Sequence, residues 1–478
     1  MPDASDAPSW LPSLDGRSGP RYRAIADALQ EDIATGRLSS GQRLPTHREL
    51  AWQLGVTVGT VTRAYVEAER RGLITGEVGR GTFVRPDMSD YAEPGEAETR
   101  YRAGNEAANR GPIDLSANAP PSPPMADRIA AAITEVAQED DFAEFLRYRP
   151  SQGMAPHAAA GAAWLQDLGL TVEPNLVIPT NGAQHGMVTA ISAAAGAGEW
   201  LLTENLVFFG IKALARFLGL RLQTVELDEE GLIPEGLEAA IKATGARALY
   251  TCPTIQNPTC AVMSIERREA IAEICRRHGV TIVEDDIYNF LMEEPLPPLA
   301  SFLPEQTIYL ANLSKSLAPA LRVGYMAGPP RLVAGLLNGI RATGVMVSPL
   351  MHEVAARLIW NGTAKDNAAQ VRQEAIRRQQ IAARYLADWD MRNQPAALHL
   401  WLNLPESWGR ETFTAECLRR GVAIASGELF AINRQSVPHA VRLSVTGPRT
   451  KEELEQAMIV VRDLLESDEV MAHHLPRA

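Results

Sequence analysis

Thr307-Ile-Tyr-Leu-Ala-Asn-Leu-Ser-Lys-Ser-Leu-Ala-Pro-Ala-Leu-Arg-Val-Gly-Tyr325 is the stretch on which the fold turns. It opens as a short apolar strand, Thr307-Ile-Tyr-Leu, and breaks into a polar loop that carries Lys315 and Arg322. Four runs of the same kind lie upstream: Leu176-Val-Ile, Trp200-Leu-Leu-Thr, Ala248-Leu-Tyr-Thr and Val280-Thr-Ile-Val. Helical stretches such as residues 265–277 lie between them. Strands alternating with helices imply a mostly parallel sheet covered on both faces, an α/β fold. Near residue 385 the pattern changes. Leu398-His-Leu-Trp-Leu-Asn-Leu alternates apolar and polar positions, and residues 440–445 do so more loosely, which predicts a smaller C-terminal α+β subdomain with an antiparallel sheet.

The N-terminal side reads differently. Ile25, Leu29 and Ile33 recur at four-residue spacing and predict a helix over residues 21–35. Thr46 is a good N-cap for a second helix that Gly55 ends, and Thr57 caps a third over 58–71. Two strand-like pieces, 73–75 and 82–84, follow around the turn at Gly79 and Gly81. Three helices and a hairpin describe a winged helix-turn-helix, mostly α, over residues 21–86. Residues 87–112 lack apolar periodicity and read as a linker, 1–20 as a disordered N-terminus and 467–478 as a tail. The large α/β domain is then 113–385 and the small subdomain 386–466.

Bulk properties agree with this division. A chain of 478 residues with 46% hydrophobic content exceeds one ordinary core. Its net charge of −12 argues against a protein that coats nucleic acid along its whole length. The charge is uneven, however. Residues 21–86 hold ten Arg, no Lys and seven acidic residues, so they carry +3 and the remainder −15. No apolar run reaches bilayer length, and the first residues lack a basic start followed by an apolar stretch, so no membrane association and a cytoplasmic location are expected. Cys252, Cys260, Cys275 and Cys417 show no metal-ligand spacing and are expected to be free thiols. No metal is expected.

In open α/β sheets, ligands bind beyond the carboxyl ends of the strands, and the polar clusters here each follow a strand. Lys315 can attack an aldehyde and hold it as an imine. Arg322 can pair with a phosphate in a planar fork, and Ser314 can add a hydroxyl. An ordinary surface loop would look the same if these residues stood alone. In Val283-Glu-Asp-Asp-Ile-Tyr288 a buried carboxylate at a strand end can pair with a protonated pyridine nitrogen. Glu284, Asp285 and Asp286 alternate in direction and do not converge on a metal. Gln256-Asn257-Pro258 is either a plain turn or an amide donor to a phenolate oxygen. Thr180-Asn-Gly-Ala-Gln184 opens a helix whose free N–H groups can receive a phosphate.

With these residues together, the chain from about 114 to 466 resembles a fold-type-I aminotransferase dependent on pyridoxal 5′-phosphate (PLP). The resemblance implies that Lys315 holds PLP as a Schiff base and that Arg322 and Ser314 contact its phosphate. It implies that Asp285 meets the ring nitrogen, and that Tyr288 and Asn257 meet the phenolate oxygen. Gly182, Ala183 and Gln184 match the phosphate-cradling turn, Phe208 the aromatic that stacks on the ring, and Arg442 the grip on a substrate carboxylate. Tyr148, in Tyr-Arg-Pro-Ser-Gln-Gly153, matches a tyrosine that reaches the phosphate of the neighbouring subunit. Three positions depart from the family. Asn312 stands for the usual Ser or Thr, Cys260 ends the Asn-Pro-Thr-Gly run in place of Gly, and Phe208 replaces the common Tyr.

Leu44-Pro-Thr-His-Arg-Glu-Leu-Ala51, Leu54-Gly-Val-Thr-Val-Gly-Thr-Val-Thr-Arg-Ala-Tyr65 and Gly79-Arg-Gly-Thr-Phe-Val84 resemble the GntR family of winged-helix regulators. The resemblance places Arg48 near DNA, Thr57, Thr60 and Arg63 at the head of the recognition helix, and Gly79 and Arg80 at the wing tip. Val58 stands where that family often has Arg. The fusion of the two parts resembles the MocR subfamily of GntR-type transcription regulators. It implies a head-to-tail homodimer that binds double-stranded DNA and senses an amine, an amino acid or PLP. A working aminotransferase, with Lys315 moving protons and Asp285 stabilising a carbanion, is the alternative.

Overall fold

The computed structural model describes residues 10–14, 20–34, 37–38, 42–70, 73–77, 81–84, 111–121, 125–433 and 437–467. It separates into two compact units, residues 1–93 and 94–478.

In the first unit, α1 (Arg21–Ala34), α2 (His47–Leu54) and α3 (Val58–Arg70) surround a core of Ile25, Leu29, Leu50, Val61 and Tyr65. Thr46 and Glu49 form a reciprocal capping box at the start of α2, and Gly55 ends it in the left-handed conformation at φ 62°. Strands β1 (Ile74–Glu77) and β2 (Gly81–Val84) pair antiparallel, with Ile74 opposite Val84. The structure thus has the three helices and hairpin of a winged helix-turn-helix. One feature escaped composition: Trp10, in the first twenty residues, is buried in this core and its indole donates to Asp32 at 2.7 Å.

In the second unit, β3 (Ile113–Asp114) leads into the chain. A seven-stranded sheet follows, built from β4 (Val177–Thr180), β5 (Trp200–Glu204), β6 (Arg221–Val225), β9 (Ala248–Thr251), β10 (Thr281–Asp285), β11 (Thr307–Asn312) and β12 (Gly324–Ala327). A short hairpin, β7 (Leu227–Asp228) with β8 (Gly231–Leu232), lies between β6 and β9. The strand order is β4-β12-β11-β10-β9-β5-β6. Neighbours are parallel from β11 to β6, while β12 runs antiparallel to both β11 and β4. Burial of every residue of β4, β9, β10, β11 and β12 fits a sheet covered on both faces. The expected α/β sheet is therefore present, with β6 and β12 added to the strands read from sequence.

The smaller sheet has the order β13-β14-β17-β16, from Met391–Arg392, His399–Asn403, Ala440–Ser444 and Ala425–Ser426, all antiparallel. Strand β15 (Val422–Ala423) pairs in parallel with β3, so residues 113–114 belong to the small sheet's side of the molecule although they open the large domain in sequence. The four cysteines are free and buried. Among the described residues no helix is long and apolar enough to cross a membrane.

Candidate functional site

Lys315 follows β11, in the loop before the turn Pro319–Leu321. The residue as a whole is half-buried, but its amine sits deep among protein atoms and donates to the main-chain carbonyl of Asn118. Burial, with the Arg442 and Arg322 charges nearby, pushes its pKa down to about 8. An amine so placed is partly neutral, hence nucleophilic, near neutral pH.

Asp285 ends β10 on the same edge. Its Oδ2 accepts the Tyr250 hydroxyl at 2.6 Å, while its buried Oδ1 has no partner among the described residues. Burial raises the carboxyl to about 6. Its neighbours turn away, as strand alternation requires. Glu284 accepts the Leu299 and Ala300 amides at 2.7 and 2.9 Å, and Asp286 accepts the Tyr309 hydroxyl at 2.8 Å. Among the described residues no group of three or more His, Cys, Asp or Glu is placed to hold a metal ion.

Tyr288 is buried, and its hydroxyl accepts from Asn118 Nδ2 at 2.7 Å. Asn257 follows β9, and its Oδ1 accepts from Arg442 at 2.9 Å. Arg442, at the centre of β17, also donates to the Ser116 carbonyl and lies 4.7 Å from the Phe430 ring centroid. Its Nε is buried without a partner among the described residues. Burial lowers its pKa to about 10, so it remains a cation at neutral pH. Hydrogen bonds thus tie Lys315, Tyr288 and Arg442 to one short segment, residues 116–118, and Asn257 joins them through Arg442.

A second group lies where β4 meets the helix Ala183–Ala194. Gly182 caps that helix at φ +79°, and a Cβ there would stand 2.7 Å from a terminal nitrogen of Arg322. Arg322 donates to the Asn181 carbonyl at 3.4 Å. Ala183 and Gln184 form the first helical turn, whose N–H groups lack helical partners. Asn312 accepts the Ser314 amide at 2.8 Å, and its Nδ2 is buried without a partner among the described residues. Phe208 is half-buried, with its ring 4.6 Å from that of Phe209. Tyr148 is 86% exposed and stands outside the network around Lys315.

Two residues of this network gave no signal in the sequence. Asn118 sits in a Pro-rich turn, where asparagine is common. His399 occupies a polar position of an alternating strand, which reads as the solvent face. In the structure β14 is covered on both sides there, and His399 is fully buried. Its Nδ1 lies 3.2 Å from Asn118 Nδ2 and its Nε2 3.3 Å from the Gln256 carbonyl. Cys260, at φ 62°, directs its thiol to the His399 carbonyl at 3.3 Å.

In the first unit, Thr57 Oγ1 accepts the Thr60 amide at 3.2 Å and so caps α3. Arg48, Thr57 and Arg63 are exposed and Thr60 is half-buried. Gly79 and Arg80 lie outside the described residues.

Comparison with known proteins accounts for both units. Residues 110–460 match the model for aminotransferase class I and II, and residues 21–84 match bacterial regulatory proteins of the gntR family. An uncharacterized HTH-type transcriptional regulator of Bacillus subtilis, YdeF, is 31% identical over 96% of this chain and 97% of its own. The HTH-type pyridoxine biosynthesis transcriptional regulator PdxR of Corynebacterium glutamicum is 27% identical over 76% of this chain and 78% of its own. Among solved structures, the α-aminoadipate aminotransferase LysN of Thermus thermophilus, complexed with N-(5′-phosphopyridoxyl)-L-leucine, superposes at a TM-score of 0.68 with 25% identity, over 75% of this chain and 92% of that one. A GntR-type winged helix in front of a fold-type-I aminotransferase domain, shared end to end with a helix-turn-helix regulator, makes this chain a member of the MocR subfamily of GntR-type transcription regulators.

Proposed function

We propose that this transcription regulator holds PLP on Lys315 and senses an amine, an amino acid or PLP itself at that site, with occupancy altering the DNA affinity of the winged helix. The observation that carries the reading is the pairing of an enclosed amine at Lys315, pushed down to about 8, with a buried carboxylate oxygen of Asp285 that has no donor. A protonated ring nitrogen is the donor that Asp285 lacks. The missing side chain at Gly182, beside the Arg322 guanidinium and a helix N-terminus, leaves room for a phosphate. When bound, PLP supplies an aldehyde that condenses with amines and a ring that withdraws electrons.

The roles of the chain's own residues follow. Lys315 provides the attacking amine. Asp285 holds the ring-nitrogen proton. Asn257, whose Oδ1 is occupied by Arg442, would keep its amide donor for the phenolate oxygen, a role Tyr288 would share. Gly182, Ala183, Gln184, Asn312, Ser314 and Arg322 receive the phosphate, and Phe208 covers the ring. Arg442, a buried cation with an unused Nε, receives the carboxylate of an amino-acid effector. Tyr148 serves the site of a second subunit in a head-to-tail dimer. On DNA, α3 enters the major groove with Thr57, Thr60 and Arg63, Arg48 lies at the backbone, and Gly79 and Arg80 reach the minor groove.

Effector and DNA binding coupled in this way must be reciprocal. Gel shifts with the upstream DNA, with and without PLP and candidate amines, test the reading, and no shift under any condition overturns it. Fast conversion of bound PLP to pyridoxamine phosphate by a common amino acid would support the aminotransferase instead.

A further inference from the structure

We propose that Asn118 and His399 form a one-directional hydrogen-bond relay that positions Tyr288 and Lys315, an inference that rests on the PLP reading above. The Asn118 amide is the hub of the relay. Its Nδ2 lies 2.7 Å from the Tyr288 hydroxyl and 3.2 Å from His399 Nδ1. An amide NH2 only donates, so in this orientation, which leaves Asn118 Oδ1 buried without a partner among the described residues, both partners accept. His399 must then carry its proton on Nε2, where the Gln256 carbonyl stands 3.3 Å away to receive it. The Tyr288 oxygen is occupied as an acceptor, which leaves its own proton uncommitted to Asn118 and available to the cofactor's phenolate oxygen. The same residue's main-chain carbonyl holds the Lys315 amine. One residue therefore sets both the group that bonds the cofactor and the group that donates to it.

The relay crosses three parts of the fold. Asn118 lies just after β3, Tyr288 just after β10, and His399 begins β14 of the smaller sheet. The His399 carbonyl is gripped in turn by Gln379 Nε2 at 2.9 Å and by the Cys260 thiol. Burial and the Arg442 charge push the His399 pKa down to about 3, so the imidazole stays neutral and an acceptor at Nδ1. Lys315 faces Arg442 and Arg322, and Tyr288 faces Cys252, Arg442 and Asp285, so these residues are left unchanged in the variants below.

Two measurements on the full-length protein decide the matter. In PLP-free protein with 15N-labelled histidine, the signals absent from His399→Asn belong to His399. They should report the Nε2–H tautomer from pH 8 to pH 5, and an Nδ1–H tautomer or a cation in that range overturns the relay. In PLP-loaded protein, a pH titration of the visible absorbance reads protonation of the lysine–cofactor bond. A donor to the phenolate oxygen favours the form in which that oxygen keeps its full charge, so losing the donor raises the apparent pKa. Asn118→Asp accepts where Asn118 donates and draws the Tyr288 proton away. It should raise that pKa by about one unit and weaken PLP binding about tenfold, the scale of one hydrogen bond. His399→Phe should shift the titration the same way, and His399→Asn, whose Oδ1 can stand in for Nδ1, should return it toward wild type. On a Tyr288→Phe background Asn118→Asp should add clearly less than it does alone, because only the field of its new charge remains once that hydroxyl is gone. An unshifted Asn118→Asp titration, or full additivity with Tyr288→Phe, overturns the proposal. A protein that takes up no PLP overturns the function proposed above, while the tautomer still decides the relay.

Discussion

Lys315 illustrates how a single residue changes meaning with its surroundings. In sequence it is one lysine in a Ser- and Pro-rich loop. In the structure its amine is enclosed, and the pKa falls from an ordinary 10.5 to about 8. Only the neutral amine attacks an aldehyde, so PLP uptake should quicken about tenfold between pH 7 and pH 9, with the neutral fraction, as followed by stopped-flow absorbance. The same shift has a stability consequence. Between about pH 8 and 10.5 the unfolded chain binds a proton at Lys315 that the folded chain does not. Stability of the PLP-free protein should therefore rise with pH across that window and be lower below it. Lys315→Met should flatten this rise in urea titrations. Asn118 and His399 were not legible, because a turn asparagine and a strand histidine carry no distinguishing spacing. Their roles depend on atoms that lie 170 and 281 positions apart in the chain, those of Tyr288 and of Asn118 and His399 with one another.

Elements that announce themselves by local signals matched the structure closely. Strand β9 coincides with Ala248-Leu-Tyr-Thr, and α2 begins at the Thr46 cap. Strand β6, Arg221-Leu-Gln-Thr-Val, was missed because its polar residues and half-buried setting dilute the apolar signal. Strand β12 was absorbed into the loop after Lys315, since four residues behind a Pro-bearing stretch give no period to count. The turn from β4 into its helix yields a sharp test. Gly182→Ala places a Cβ 2.7 Å from Arg322 at a φ of +79°. It should weaken PLP binding at least tenfold, by equilibrium titration, and lower stability by about 1 kcal/mol or more, because alanine is strained at positive φ. For α3, Arg63→Ala should reduce affinity for operator DNA. Should Arg63 meet a phosphate, the slope of log affinity against log salt falls by about one, whereas a base contact relaxes sequence preference instead.

For the whole molecule, the exposed Tyr148 offers a test of the proposed dimer. A tyrosine 86% exposed contributes little to its own fold, so Tyr148→Phe should leave the melting temperature within about a degree. If Tyr148 completes the partner's site, dimers formed from Lys315→Ala and Tyr148→Phe chains, co-expressed with different tags, should retain one PLP site of wild-type affinity. If it acts within its own chain, those dimers retain none. The sequence by itself determined the two-part plan, because hydrophobic period, caps and turn residues are local and survive without the fold. It also singled out the side chains proposed for the site, since Lys315, Asp285, Asn257 and Arg442 sit at strand ends or on a strand. Only the tertiary structure decided what those groups face. It enclosed the Lys315 amine, left one oxygen of Asp285 without a donor, and drew Asn118 and His399 into contact with Tyr288. Proton affinity and donor direction are set by neighbours in space, and these neighbours come from β3, β10 and β14, segments that no local pattern joins.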